Sequence, residues 1–130
     1  MSKRVLIVDD SAIARSIIKR VFDVSGISDA EFLEANNGRE ALEVLTKQRC
    51  HLVISDLNMP DMDGEELLKR IKSSPKLHDT PVVIISSLGN PAKEKKLIAD
   101  HAESVFTKPV SVPELTEFLN EFWENLSEDE

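Results

Sequence analysis

The sequence is poor in cysteine and in basic residues. Its one cysteine, Cys50, cannot form an internal disulfide and is typical of a protein from a reducing compartment. The chain has 16 Lys and Arg residues against 24 Asp and Glu residues, which gives a net charge of −8. Because nucleic-acid binding requires a basic surface, this balance argues against a nucleic-acid partner.

The N-terminus also lacks a long hydrophobic run. Met-Ser-Lys-Arg leads into only four consecutive apolar residues, 5–8, which are too few for a signal-peptide core or a membrane span. Apolar residues still make up 41% of the 130 residues, enough for the core of one domain. We therefore expect a cytoplasmic monomer with no membrane segment, folded over residues 1–126. The acidic residues 127–130 are predicted to form a disordered tail.

Short apolar runs alternate with helical patterns along the chain. Three continuous runs, residues 5–8, 52–54 and 82–85, predict parallel strands that are covered on both faces. Two less apolar segments, residues 31–35 and 104–107, predict edge strands. The pattern is typical of a parallel sheet with helices on both faces.

Apolar periodicity and capping residues predict five helices. The predicted helices are residues 11–25 closed by Gly26, residues 38–49, one starting at Asp63, one starting at Asn90-Pro91 and one from Ser111 to about Leu126. In the first helix, Ala14, Ile17, Ile18 and Val21 are predicted to share the buried face.

The predicted order is strand–helix repeated five times. Right-handed crossovers then give an α/β fold, a doubly wound five-stranded parallel sheet of the flavodoxin-like kind. The three most apolar strands belong in the centre, which matches the strand order 2-1-3-4-5. Its ligand crevice lies at the carboxyl ends of the first and third strands.

Unusual polar residues follow four of the five strands. Asp9 and Asp10 follow the first strand, Asp56 follows the third, Ser86 the fourth and Lys108 the fifth. Each of them alone would more often be an ordinary loop residue. The predicted topology, however, brings three carboxylates, a hydroxyl and an ammonium group into one crevice.

This combination of groups predicts a metal site that supports phosphoryl transfer. Carboxylates this close repel one another unless a cation lies between them. Oxygen ligands without a cluster of His or Cys favour Mg²⁺ or Mn²⁺. A metal, a lysine and a hydroxyl around one carboxylate are the groups needed to transfer a phosphoryl group to that carboxylate.

These residues resemble the receiver domain of two-component response regulators, in particular its single-domain, CheY-like members. The resemblance covers residues 4 to about 126. Its motifs are Asp9-Asp10, the segment Asp-Leu-Asn-Met-Pro-Asp-Met-Asp-Gly at 56–64, Ser86 and Lys108-Pro109.

The resemblance implies a phosphoacceptor and a set of metal ligands. Asp56 would accept a phosphoryl group from the phosphohistidine of a histidine kinase or phosphotransfer protein, or from a small acyl phosphate. Asp10 and Asp56 would bind Mg²⁺ directly, with Asp9 acting through water. Asn58 would contribute its backbone carbonyl.

The resemblance also implies two residues that respond to the phosphoryl group. Lys108 would pair with that group, and its bond to Pro109 is expected to be cis. Ser86 would be the switch hydroxyl, which turns inward to a phosphoryl oxygen and pulls its loop along.

Two positions depart from the family pattern. An aromatic residue is usual three residues before the lysine, but this position is Val105, and the neighbouring Phe106 should face the opposite side of the sheet. We expect Phe106 to be a core residue and an aromatic relay to be missing. His101 stands where glycine is common, which predicts either a shifted helix end or modest strain.

A partner surface is expected on the fourth helix and fifth strand. Lys93, Lys95 and Lys96 lie on a helix with a thin apolar stripe, and Val105 lies on the strand that follows. The helix comes directly after the switch serine, and low packing suits a mobile element. These four residues are the candidates for contact with an unidentified output protein.

The leading hypothesis is a stand-alone response regulator that acts as a switch and not as a turnover enzyme. The sequence ends soon after the fifth predicted helix, and residues 11–15 resemble the same stretch of chemotaxis regulators. A phosphorelay intermediate and a receiver module separated from a multidomain regulator remain alternatives.

An aspartate-based phosphatase is disfavoured, because its nucleophile lies in an Asp-x-Asp motif that Asp9-Asp10 does not provide. A flavin-binding domain is disfavoured because this acidic loop would repel phosphate.

Overall fold

The computed structural model describes residues 2–87 and 90–127. Strands and helices alternate along this part of the chain, as the sequence predicts. In chain order they are β1 (Lys3–Val8), α1 (Ala12–Val24), β2 (Ala30–Ala35), α2 (Gly38–Lys47), β3 (Leu52–Asp56), α3 (Gly64–Ser73), β4 (Val82–Ser86), α4 (Pro91–Ala99), β5 (Ser104–Thr107) and α5 (Val112–Ser127).

The five strands form one parallel sheet in the order β2-β1-β3-β4-β5. This confirms the predicted topology. Every residue of β3 and β4 is buried, whereas β2 and β5 at the edges are partly open. The register pairs Val8 with Ser55 and Asp56 with Ile85, so that the carboxyl ends of the three central strands meet at one edge of the sheet.

Two hydrophobic cores lie on the two faces of the sheet. Alternate residues of β1 show the division, because Leu6 packs into one core and Ile7 into the other. Helices α2, α3 and α4 cover the first face, which we call the α2–α4 core. Helices α1 and α5 cover the second, the α1/α5 core.

The predicted helix starts Asp63, Asn90 and Ser111 are confirmed as capping residues, and Ser11 and Asn37 cap the other two helices. The side chain of each accepts a hydrogen bond from the backbone N–H three residues further along. The ends differ slightly from the prediction. Helix α2 stops at Lys47, short of residue 49, and α5 includes Ser127, one residue beyond the predicted domain end. The rest of the predicted tail, 128–130, lies outside the described residues.

The predicted buried face of α1 is partly wrong. Ile17 is 53% exposed and Ala14 is half-buried, whereas Ile18, Val21 and Phe22 form the buried face. The reason is Phe22, whose ring fits edge-on between Phe32 and an aromatic ring of α5. Packing this large ring turns Ile17 toward solvent.

The structure shows the surroundings of the two positions that depart from the family pattern, Val105 in β5 and His101 after α4. Val105 packs against the α2–α4 core, whereas Phe106 packs into the α1/α5 core, with its ring 5.7 Å from that of Phe118. His101 has a φ of 77°, so the helix end is not shifted and the histidine adopts the left-handed conformation. In the described ranges, no helix is long and apolar enough to span a membrane.

Candidate functional site

Three carboxylates converge at the carboxyl ends of β1 and β3. Asp9 and Asp10 directly follow β1, and Asp56 is the last residue of the neighbouring strand β3. One carboxylate oxygen from each residue lies within 4.8 Å of the other two. Asp9 and Asp56 are buried, while Asp10 is exposed at the mouth of the cluster. The structure thus brings together the three acids that the sequence predicted for one crevice.

Lys108 supplies the positive charge of this cluster. Its Nζ lies 3.0 Å from Asp56 Oδ1 and 3.7 Å from Asp9 Oδ2. The lysine follows β5, and its backbone N–H donates to the carbonyl of Ser86 at the end of β4. The peptide bond between Lys108 and Pro109 is cis, as the resemblance implies.

The electrostatics of the site follow from burial and from these short distances. Burial raises the pKa of Asp56, and the charge of Asp9 adds to this effect, while the hydrogen bond from Lys108 opposes it. Burial lowers the pKa of Lys108, but its hydrogen bond and charge interaction with Asp56 outweigh burial, so that the net shift is upward. The cluster therefore holds more negative charge than Lys108 alone compensates.

The donor set fits a hard divalent cation. Each of the three acids offers a carboxylate oxygen, and the group contains no His or Cys. Oxygen ligands of this kind suit Mg²⁺ or Mn²⁺ better than zinc. A cation here would also favour the ionised form of Asp56, whose pKa is raised by burial and, to a lesser extent, by the charge of Asp9.

Arg15 fixes the loop that carries Asp9, a contact that the sequence analysis did not foresee. Its Nη1 donates to the Asp9 backbone carbonyl at 2.5 Å and to Asn36 Oδ1 at 3.0 Å, while its Nε donates to Glu34 at 2.6 Å. Asp9 Oδ1 in turn accepts from the Ser11 N–H at 2.9 Å. The signal available in the sequence was the position of Arg15 in the first turn of α1, next to the acidic loop.

The start of α3 lies directly against the phosphoacceptor candidate. The Gly64 N–H donates to the carbonyl of Leu57 at 2.8 Å, and a Cβ at Gly64 would overlap the carbonyl oxygen of Asp56. Only glycine permits this close approach of two backbone segments. The first turn of α3 is therefore held in a set position relative to Asp56.

The remaining predicted site residues lie on the rim. Ser86 ends β4 and is buried, one position beyond the partner of Asp56 in the strand register. Asn58 is exposed, and its side-chain amide donates to Ser87 Oγ at 3.2 Å. Asn58 thus links the loop after β3 to the loop after β4, a contact that its predicted role as a carbonyl ligand did not include.

The candidate partner surface is less open than the sequence suggested. Lys93 and Lys96 both bond to Glu65 of α3, with distances of 2.7 and 2.5 Å. Lys95 is exposed and has no ion pair within the described part of the chain, while Val105 is half-buried against the α2–α4 core. Glu65 was missed because a contact between helices does not show in the sequence pattern of either helix.

Comparison with known proteins identifies the family. A family model described as "Response regulator receiver domain" matches residues 5–120. The two-component response regulator ORR3 of rice is 37% identical over 117 residues, 89% of this chain and 87% of that protein. The chemotaxis response regulator CheY4 of Vibrio cholerae has a TM-score of 0.81 and 30% identity, over 94% of this chain and 99% of that one. The Mn²⁺-bound response regulator Rcp1 has a TM-score of 0.76 and 28% identity, over 89% and 88%.

Proposed function

The chain belongs to the family of response-regulator receiver domains, and we propose that it is a stand-alone regulator that is phosphorylated on Asp56. The phosphoryl donor is the phosphohistidine of a histidine kinase or of a phosphotransfer protein. The observation that carries this proposal is the pair formed by the buried Asp56 carboxylate and Lys108 Nζ, 3.0 Å apart beside two further acids.

The reaction moves a phosphoryl group from nitrogen to oxygen. A carboxylate oxygen of Asp56 attacks the phosphorus atom, the bond from phosphorus to the imidazole nitrogen breaks, and its electron pair stays on the imidazole. Lys108 faces Asp56 and compensates charge on the transferred group. A bound Mg²⁺ or Mn²⁺, held by Asp9, Asp10, Asp56 and the Asn58 carbonyl, would neutralise phosphoryl oxygens.

The consequence of this reaction is a change of partner and not repeated turnover. We propose that the Ser86 hydroxyl bonds to a phosphoryl oxygen and that the loop after β4 moves with it, which alters the surface formed by α4 and β5. Among pathways, we propose chemotaxis ahead of a phosphorelay. The likeness to CheY4 and the sequence of residues 11–15 support this choice.

Mass spectrometry after incubation with acetyl phosphate and Mg²⁺ tests the phosphoacceptor. We expect one acid-stable, base-labile phosphoryl adduct on the wild-type chain and none on Asp56→Asn. The matched control is Asp61→Asn, because Asp61 is an exposed acid of the loop after β3. It should react like the wild type. An adduct that persists in Asp56→Asn, or repeated hydrolysis of simple phosphate esters, would refute the proposal.

A second experiment addresses the pathway. The wild-type chain serves as bait for proteins in a lysate of the organism that makes it. The proteins captured with beryllofluoride, which mimics the phosphoryl group, are compared with those captured without it. A chemotaxis role predicts that a motor component is captured only with beryllofluoride. Capture of a histidine-containing phosphotransfer protein without any such component would favour the relay.

A further inference from the structure

An ion cluster centred on Glu65 joins α3 to α4 away from the acidic site. Within it, Glu65 also lies 3.7 Å from Lys69 of its own helix, and Lys96 lies 3.7 Å from Asp100. Glu65 Oε1 lies 2.7 Å from Lys93 Nζ, and its Oε2 lies 2.5 Å from Lys96 Nζ. Glu65 is the second residue of α3, and the two lysines lie one turn apart on α4. Hydrogen bonds from Lys93, and then from Lys96, lower the pKa of Glu65 to about 2, so that the carboxylate remains ionised near neutral pH.

The Glu65 end of this cluster is rigidly tied to Asp56. The preceding residue, Gly64, donates to the carbonyl of Leu57 and leaves no room for a side chain against Asp56. The Glu65 side chain is itself only 17% exposed. Because the backbone at Gly64 is held against Asp56, a displacement of α4 changes the distances of the ion pairs to Glu65.

The α4 end is held weakly by other contacts. Leu97 is the one buried residue of α4, and Ile98 on the same helix is 49% exposed. Helix α4 begins five residues after Ser86, whose carbonyl accepts from the Lys108 N–H. With so little apolar burial, the ion pairs form a large share of what orients α4.

A phosphoryl group on Asp56 changes the surroundings of Lys108. Nζ of Lys108 lies 3.0 Å from Asp56 Oδ1, so it has to adjust to pair with the new phosphoryl oxygens. Because Lys108 is bonded through its backbone to Ser86, its adjustment acts on the strand end that leads into α4. An interaction made in only one of two arrangements shifts the equilibrium between them toward that arrangement.

We propose that Glu65 is a positioning residue, which holds α4 through Lys93 and Lys96 and so opposes phosphorylation of Asp56. This inference rests on the proposed function and concerns the regulation of the same site. Glu65 sets how readily Asp56 takes the phosphoryl group and how completely α4 changes its position.

The proposal is tested by the phosphorylation rates of variants in which a charged side chain is replaced by a neutral one of similar size. With acetyl phosphate and Mg²⁺ at low ionic strength, Glu65→Gln should form the adduct about threefold faster than the wild type, the effect expected from a short network of partly exposed ion pairs. The control is Glu66→Gln, the same change on the next residue, whose carboxylate pairs with Arg70 of its own helix and with no other charged residue among those the structure describes. It should leave the rate unchanged.

A double-mutant cycle separates the ion pairs from a general effect of charge. Lys93→Gln combined with Lys96→Gln should give the same acceleration, and adding Glu65→Gln to that pair should give no further change. Lys95→Gln, the exposed neighbour, should have no effect. The acceleration should shrink at about 0.5 M salt, because mobile ions screen exposed pairs.

Hydrogen exchange gives a readout that does not depend on phosphorylation. Backbone amides of residues 94–99 should exchange faster in Glu65→Gln than in the wild type, while those of α2 stay the same. Equal or slower phosphorylation of Glu65→Gln, or unchanged exchange in α4, would overturn the inference. A wild-type chain that takes no phosphoryl group would instead refute the proposed function, so the two failures are distinct.

Discussion

Single side chains in this protein show how burial and charge act on the same group. Asp56 and Cys50 are both buried ionisable residues, and burial raises the pKa of each. At Asp56 the opposing hydrogen bond from Lys108 keeps a charged pair in place. At Cys50 burial dominates, and the pKa of the thiol rises to about 11. The same physical effect therefore makes one residue dependent on its partners and the other unreactive.

Cys50 should resist thiol reagents in the folded protein. The thiolate is the reactive form, and a pKa of about 11 against the usual value of 9.0 lowers its fraction at pH 8 by about 100-fold. The residue is also only 3% exposed. Absorbance with Ellman's reagent should show slow labelling at pH 8, faster labelling as the pH rises, and rapid labelling in urea. Complete labelling of the native chain within seconds would contradict this assignment.

Helix ends illustrate how local geometry and residue type can disagree. After α1 and α4 the chain makes the same turn, in which two consecutive N–H groups bond back to the last turn of the helix. Gly26 occupies the left-handed position after α1 with a φ of 79°, and His101 occupies it after α4 with a φ of 77°. Glycine adopts this conformation without strain, whereas histidine does so at a cost.

His101→Gly should therefore stabilise the protein by about 0.5–1 kcal/mol. The relief of the left-handed strain exceeds the extra chain entropy of glycine in the unfolded state. Gly26→Ala is the converse test, because the added Cβ would have no atom within 4 Å apart from its own chain neighbours, so only the backbone conformation is strained. It should destabilise by about 1 kcal/mol. Urea unfolding followed by circular dichroism measures both, and a loss of stability in His101→Gly would show that its side chain matters.

At the scale of the whole molecule, one sheet serves two cores. The central strands β1, β3 and β4 contribute alternate residues to the α2–α4 core and to the α1/α5 core. Trp123 of α5 packs edge-on against Phe22 of α1 and donates to Asp29 at 2.7 Å. Because both cores pack on the same sheet, unfolding of the sheet exposes both of them to solvent. The two cores should therefore unfold together.

Trp123, the one tryptophan of the chain, can test this cooperativity. Its fluorescence reports the α1/α5 core, while the helical circular dichroism signal at about 222 nm reports the helices on both faces of the sheet. The two urea transitions should coincide, and Trp123→Phe should retain the dichroism transition with a lower midpoint. A fluorescence change at clearly lower urea would mean that α5 detaches before the rest unfolds.

Much of the fold could be predicted because its signals are local. Runs of β-branched residues marked the central strands, and Asp63 and Asn90 marked helix starts through their side-chain oxygens. The buried face of α1 could not be predicted to the residue. Ile17 and Phe22 are both apolar, and only packing of the Phe22 ring against Phe32 decided which of them is buried.

The candidate site divides in the same way. Asp9, Asp10, Asp56 and Lys108 each lie at the carboxyl end of a strand. Parallel strands bring these ends together, so the order of the residues and the topology were enough to predict the cluster. Arg15 and Glu65 were missed. Arg15 contacts Glu34 and Asn36, which are 19 and 21 residues further along the chain, and Glu65 contacts Lys93 and Lys96 of α4, which are 28 and 31 residues further along. No local sequence pattern indicates contacts over such separations.

The sequence by itself determined that this chain is an α/β domain with Asp56 at its site, because strand patterns and the positions of the acids are properties of the chain order. The tertiary structure alone decided which charges meet. The sequence suggested that Lys93 and Lys96 form an open basic surface, whereas in the structure both pair with Glu65. The physical reason is that an ion pair depends on a few ångströms between helices, and that distance is set by packing on the sheet.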